Sequence, residues 1–153
     1  MNIREGELVW TKKEAVKSVL LFTLNFLILV LIVGILLLWN SFGNFSQTFR
    51  ENRANYLYIM FCTLLLVWIL YFYFFFENRR MLTDGKNIAL VFSVLDFSIV
   101  VSFLFGNYLH IYARPVALCA LLMFILVGRR EAVFVNMVCA ILLFIVDAFS
   151  DNA

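Results

Sequence analysis

Asp96, Asn136 and Ser93 are the residues whose types and positions could do chemistry, because each sits inside a long apolar run where polar side chains are rare. A carboxylate at mid-depth in a bilayer is strongly unfavourable unless it is paired or protonated. Asp96 is therefore the first candidate for proton handling, coupling or ligand contact, and spacings of four and three put Ala89, Ser93 and Asp96 on one helical face. Asn136 belongs to a second stripe of small and polar residues, Ala132, Asn136, Cys139, Ala140 and Asp147, and Ala113, Ala117 and Ala120 form a third. The structural alternative is helix packing. Small residues let helices approach, and polar ones hydrogen-bond across the contact, each bond worth roughly 0.5–2 kcal/mol in lipid. Asn25 carries the same two readings.

Other chemistry finds no residues to work with. A two-metal hydrolytic site needs several imidazoles and carboxylates converging at short range, and the chain has a single histidine, His110. His110 stands beside Tyr108, Tyr112 and Arg114 and reads as an interfacial residue, with pH sensing as the sharper alternative. Cys62, Cys119 and Cys139 fall in apolar runs without a Cys-x-x-Cys spacing, which fits small core hydrophobes. There is no Gly-rich phosphate loop and no nucleophile with a partnered base. No catalytic residue, cofactor or metal is expected.

The elements that must position these residues follow from composition. Of 153 residues 65% are hydrophobic and only 14% charged, with a mean hydropathy of +0.98, so polar atoms are too few to coat a water-soluble globule. The expected fold is all-α, a polytopic transmembrane helical bundle of about five spans. Residues 1–17 form a cytoplasmic N-terminal segment, 18–149 a helical domain with spans near 18–39, 56–76, 88–106, 108–127 and 132–149, and 150–153 a short tail. Thr11-Lys12-Lys13-Glu14 fits a capping box, so the first helix should start near Lys12. Its apolar section is roughly 30 Å long, too long for a secretory signal core, and should remain as an anchor.

Asn40 to Asn55, rich in Asn, Ser and Gln, reads as a loop, and Gly106-Asn107 suits a helix C-terminus. The fourth span is ambiguous, because Val116 to Val127 alone covers only about 18 Å of the roughly 30 Å hydrocarbon core. A helix from Tyr108 would be kinked by Pro115, with Arg114 snorkelling to the headgroups. A start at Pro115 would leave Tyr108 to Arg114 interfacial. The kinked long helix is the preferred form. Gly128 should end it and Glu131 begin the next.

Basic residues near spans are retained in the cytoplasm. Arg4, Lys12, Lys13, Lys17, Arg79, Arg80, Lys86, Arg129 and Arg130 fall on one side, and only Arg50, Arg53 and Arg114 on the other. Five spans then put the N-terminus inside and the C-terminus outside. The net charge of +2, without a concentrated basic patch, lends no support to nucleic-acid binding. The expected partners are the lipid bilayer and either copies of this chain or other membrane subunits.

Two stretches carry a resemblance. Arg114-Pro115-Val116-Ala117, then Met123, Leu126, Gly128, Arg129, Arg130, Ala132 and Asn136, resemble the membrane region of the bacterial seven-transmembrane receptors with an intracellular HD-hydrolase domain. Tyr71 to Leu95 is similar to it as well, through an aromatic run, a basic loop, Asp84-Gly85-Lys86 and a second apolar run. The resemblance implies cytoplasmic basic hairpins at Arg79, Arg80, Lys86, Arg129 and Arg130, a bacterial inner-membrane location, and a sensing or anchoring role beside a cytoplasmic phosphodiesterase. The HD domain and the large extracellular domain have no counterpart in these residues, so the expectation is a truncated or reduced, non-catalytic relative. The alternative is a small transporter or membrane-complex subunit that uses intramembrane Asp96.

Overall fold

A backbone amide in lipid has no water to bond, so a long apolar segment satisfies its own amides as a helix. A computed structural model, which describes residues 12–39, 45–110 and 113–150, follows this rule and has no strand among those residues. Four helices are long and apolar enough to cross a membrane. They are α1 (Lys12–Leu38), α3 (Arg53–Glu77), α5 (Gly85–Tyr108) and α7 (Arg129–Ser150). At about 1.5 Å per residue each exceeds the roughly 30 Å hydrocarbon core. Three shorter helices connect them: α2 (Phe45–Glu51), α4 (Arg79–Thr83) and α6 (Leu118–Leu126).

The first part of the expected 40–55 loop lies outside the described residues, but the rest is helical. Phe49 of α2 stacks on Tyr56 of α3 at 5.5 Å, and the chain bends only at Asn52. Aromatic contact with the neighbouring helix here outweighs the turn-forming preference of Asn, Ser and Gln. At the other end of α3, Asn78 leaves helical geometry at φ −147° and ψ 81°, and α4 follows as a single turn. Asp84 then caps α5, its Oδ1 accepting the Lys86 amide at 3.2 Å. The first helix begins at Lys12 as described, and Thr11 of the expected capping box lies outside the described residues.

The fourth span takes neither expected form. α5 runs through Gly106 and Asn107 to Tyr108, and the next α-helix among the described residues begins at Leu118. Pro115 sits in the irregular entry, where its carbonyl accepts the Leu118 amide at 2.9 Å. A proline ring cannot lie inside a continuous helix without losing a hydrogen bond, and the segment breaks there instead of kinking. α6 has nine residues, about 13 Å, so it is too short to span by itself. Among the described residues, four helices are therefore long enough to span, and the expected fourth of five spans is represented only by the short α6. α7 begins at Arg129, which places Arg130 and Glu131 in its first turn.

α6 still descends beside α7 as an antiparallel hairpin. The turn at Gly128 fixes one end, the Cys119 and Cys139 thiols meet in the middle, and Arg114 reaches Asp147 at the far end. α1 and α5 pack together from a common end, where Leu21 lies so near Gly85 that a Cβ there would come within 2.8 Å of Leu21 Cδ1. α7 touches α1, α3, α5 and α6 and is the central element. The core is built from fully buried Leu29, Leu70, Leu95, Ile99, Met123 and Val135, one or more from each of the long helices and α6.

Candidate functional site

The sequence candidates Asp96, Ser93 and Asn136 do not form one site. Ser93 is exposed on the outer face of α5 with Ala89, although the two share that face with Asp96 as their spacing requires. Asp96 is half-buried at its edge, and its Oδ1 is enclosed without a hydrogen-bond partner. Asn136 is half-buried on α7, and its Oδ1 also lacks a partner. No hydrogen bond joins these two among the described residues. Within the third stripe, Ala113 and Ala117 precede α6 and are exposed, which leaves Ala120 as its helical member. Asn25 turns inward on its own helix, its Nδ2 donating to Leu21 O at 2.8 Å.

What the fold does bring together lies at the two ends of α7. At the end away from the basic hairpins, the Arg114 guanidinium pairs with Asp147. The Arg114 side chain is 13% exposed and that of Asp147 29%, so the pair is largely withdrawn from solvent. Gly106 of α5 is the third wall: a Cβ there would lie 2.7 Å from the guanidinium carbon. Gly106 makes room for the arginine and does not end its helix. His110 is exposed nearby in the chain, its amide donating to Phe105 O and its carbonyl accepting from Ala113.

At the basic end, α3 and α7 are clamped. Tyr73 stacks flat on Phe134 at 3.9 Å, Asn78 Nδ2 donates to Glu131 Oε1 at 3.1 Å, and Arg130 pairs with Glu77. The two basic hairpins thus meet, with Arg79, Arg80, Lys86, Arg129 and Arg130 all exposed around the clamp. Arg79 closes the C-terminus of α3, donating from Nε to Phe75 O at 3.1 Å with its guanidinium 4.6 Å from the Phe75 ring. A cation is favourable there because the last carbonyls of a helix carry partial negative charge.

Between the ends, Ser98 and Ser102 of α5, Cys119 of α6 and Cys139 of α7 are buried polar or polarisable groups on facing elements. The Cys119 thiol lies against Cys139 and Ser98. The three cysteines are free, and no group of three or more metal-ligating side chains occurs among the described residues.

Sequence reasoning passed over both ion pairs, though a signal for them was present. Counting passes puts Arg114 and Asp147 at one membrane face and Glu77 and Arg130 at the other, so each opposite-charge pair was at least level. Which helices are neighbours was not legible in that count. No protein-family model matches the chain, and no curated protein or solved structure is significantly similar to it, so the resemblance to the HD-receptor membrane region rests on the residues quoted for it.

Proposed function

We propose that this chain is a non-catalytic integral membrane protein that anchors and transmits, a receptor-like membrane portion resembling receptors that control a cytoplasmic HD phosphodiesterase. It sits in the bacterial cytoplasmic membrane with its N-terminus inside and its C-terminus outside. The excess of basic residues at the α3–α4–α5 and α6–α7 turns supports that orientation. The observation that carries the functional reading is the engagement of α7 at both ends, to Arg114 through Asp147 and to α3 through Arg130 and Glu131. Seventeen helical steps, about 26 Å, separate Asp147 from Arg130, so the helix can deliver a displacement at one face to the other.

Transmission requires an element with two arrangements that both ends bias. Spin labels on Arg80→Cys and Arg129→Cys, in a Cys62→Ser background, report the separation of the two basic hairpins. Asp147→Asn should shift or broaden that distance distribution. An unchanged distribution in a folded Asp147→Asn protein would leave a passive anchor and remove the transmitting role.

Asp96 favours a second reading, a transporter or complex subunit. Its enclosed and unpartnered Oδ1 sits at the edge of the exposed Ala89–Ser93 face of α5, and an incoming small-residue helix could approach that face closely. Asp96→Asn should then abolish proton-coupled flux in vesicles or release a co-purifying membrane subunit while the helical content persists. Retention of both in the variant would eliminate this reading.

A further inference from the structure

Between α1 and α3 lies an apolar groove of about 390 Å³ whose walls include Val19, Phe22 and Thr23 on one side and Val67, Trp68 and Tyr71 on the other. The volume falls within the roughly 300–1,000 Å³ typical of small-molecule sites. Its one hydroxyl from α1 is already used, since Thr23 Oγ1 donates to Val19 O at 2.8 Å. Such walls suit a hydrocarbon chain.

The groove is not apolar at its basic end. Phe22 packs edge-on against Tyr71 at 5.1 Å, Tyr71 stacks over Phe75 at 6.5 Å, and the Arg79 guanidinium lies 4.6 Å from the Phe75 ring. A continuous aromatic column therefore leads from the groove wall to a cation. From the other wall, Lys12, Val19 and Phe26 recur every seven residues and share a face of α1, which aligns Lys12 with the groove about 10 Å toward the basic end. α4, which begins at Arg79, packs against α1, so both cations lie beyond the groove's lining at the basic end of the helices that form it. Neither is in an ion pair among the described residues. The carboxylates nearest in sequence to Arg79 are engaged elsewhere, Glu77 with Arg130 and Asp84 with the Lys86 amide.

We propose that this groove binds one anionic glycerophospholipid, an acyl chain lying between α1 and α3 and the phosphate held by Arg79 and Lys12. A neutral lipid would satisfy the groove but leave two cations facing its headgroup. A second helix would fill the groove but bring no anion. The lipid supplies both an apolar chain and an anion.

The test is native mass spectrometry of the purified full chain with phosphatidylglycerol and with phosphatidylcholine of matched acyl chains. The expected result is one retained lipid with a preference for phosphatidylglycerol of roughly 5- to 30-fold, the effect of one or two cations beside an anionic surface. Lys12→Gln with Arg79→Gln should reduce that preference to near unity. Val19→Trp, which fills the groove from a half-exposed position, should weaken retention of both lipids. Equal retention of the two lipids by the wild type overturns the proposal, as does an undiminished preference in the double variant or unchanged retention in Val19→Trp. Displacement of phosphatidylglycerol by inorganic phosphate alone would likewise defeat the lipid assignment. Should Val19→Trp fail to fold, the double variant decides by itself, because it changes only exposed side chains.

Discussion

Replacing Asp147 by Asn keeps the volume of the side chain and removes its charge, leaving the Arg114 guanidinium 13% exposed with no counter-ion and with an Nε that already lacks a partner. Removing one member of a fully buried pair costs about 3–5 kcal/mol, because the remaining charge is stranded. Asp147 is 29% exposed, so water or a headgroup can partly compensate, and the expected loss is nearer ~2–3 kcal/mol. That is a shift of roughly 30- to 150-fold in the folding equilibrium. Reversible unfolding in mixed micelles, followed by circular dichroism against increasing SDS, measures it directly. Arg114→Leu should cost a similar amount. The double variant Arg114→Leu with Asp147→Leu should lie within about 1 kcal/mol of the wild type, since it buries no unpaired charge. An Asp147→Asn cost below ~0.5 kcal/mol, or a double variant that loses the sum of the two single losses, would refute a stranded Arg114 charge. Additivity would mean that the two residues do not interact energetically.

Gly106→Val should displace the Arg114 guanidinium and destabilise by about 1–3 kcal/mol; in the Asp147→Asn background the same SDS titration should show a smaller loss, because the pair is already broken. Arg130→Ala removes an ion pair whose side chains are 78% and 38% exposed, so its effect should stay near 0.2–1 kcal/mol and fade when the titration is repeated at roughly 1 M salt. Ser102→Ala should be neutral or stabilising by about 1 kcal/mol in unfolding measurements, because the buried hydroxyl has no partner to lose.

Helix type and membrane-spanning length were accessible from residue types because lipid permits few backbone solutions, whereas the expected five spans became four spanning helices and a shorter α6. Runs such as Ser18 to Trp39 and Tyr56 to Phe76 carry enough apolar length to define a span without tertiary help. Gly128 as a terminator is a local signal of the same kind, since its effect depends on backbone groups a few residues away; Asp84 as the cap of α5 came only from the structure. Pro115 marked the fourth span as either kinked or starting there, and the break that forms instead depends on more than proline. Arg114 pulls the entry toward Asp147, and that partner is 33 residues away.

Gly106 shows the same limit in a single residue. Next to Asn107 it has the local signature of a helix end, yet α5 continues two residues past it to Tyr108, and the space a Cβ would need is occupied by a guanidinium from another segment. Ser93 and Asp96 divide likewise: their common helical face follows from a 3.6-residue period, whereas which part of that face is covered depends on where α1 and α7 pack. By itself the sequence determined a membrane-embedded all-α chain with its basic turns at one end, because hydrophobic length and breaker positions act over a few residues. Only the tertiary structure decided which charges pair, which glycine admits the arginine, and which helices frame the apolar groove. Those contacts join residues distant in the chain, and periodicity along one helix does not specify its neighbour.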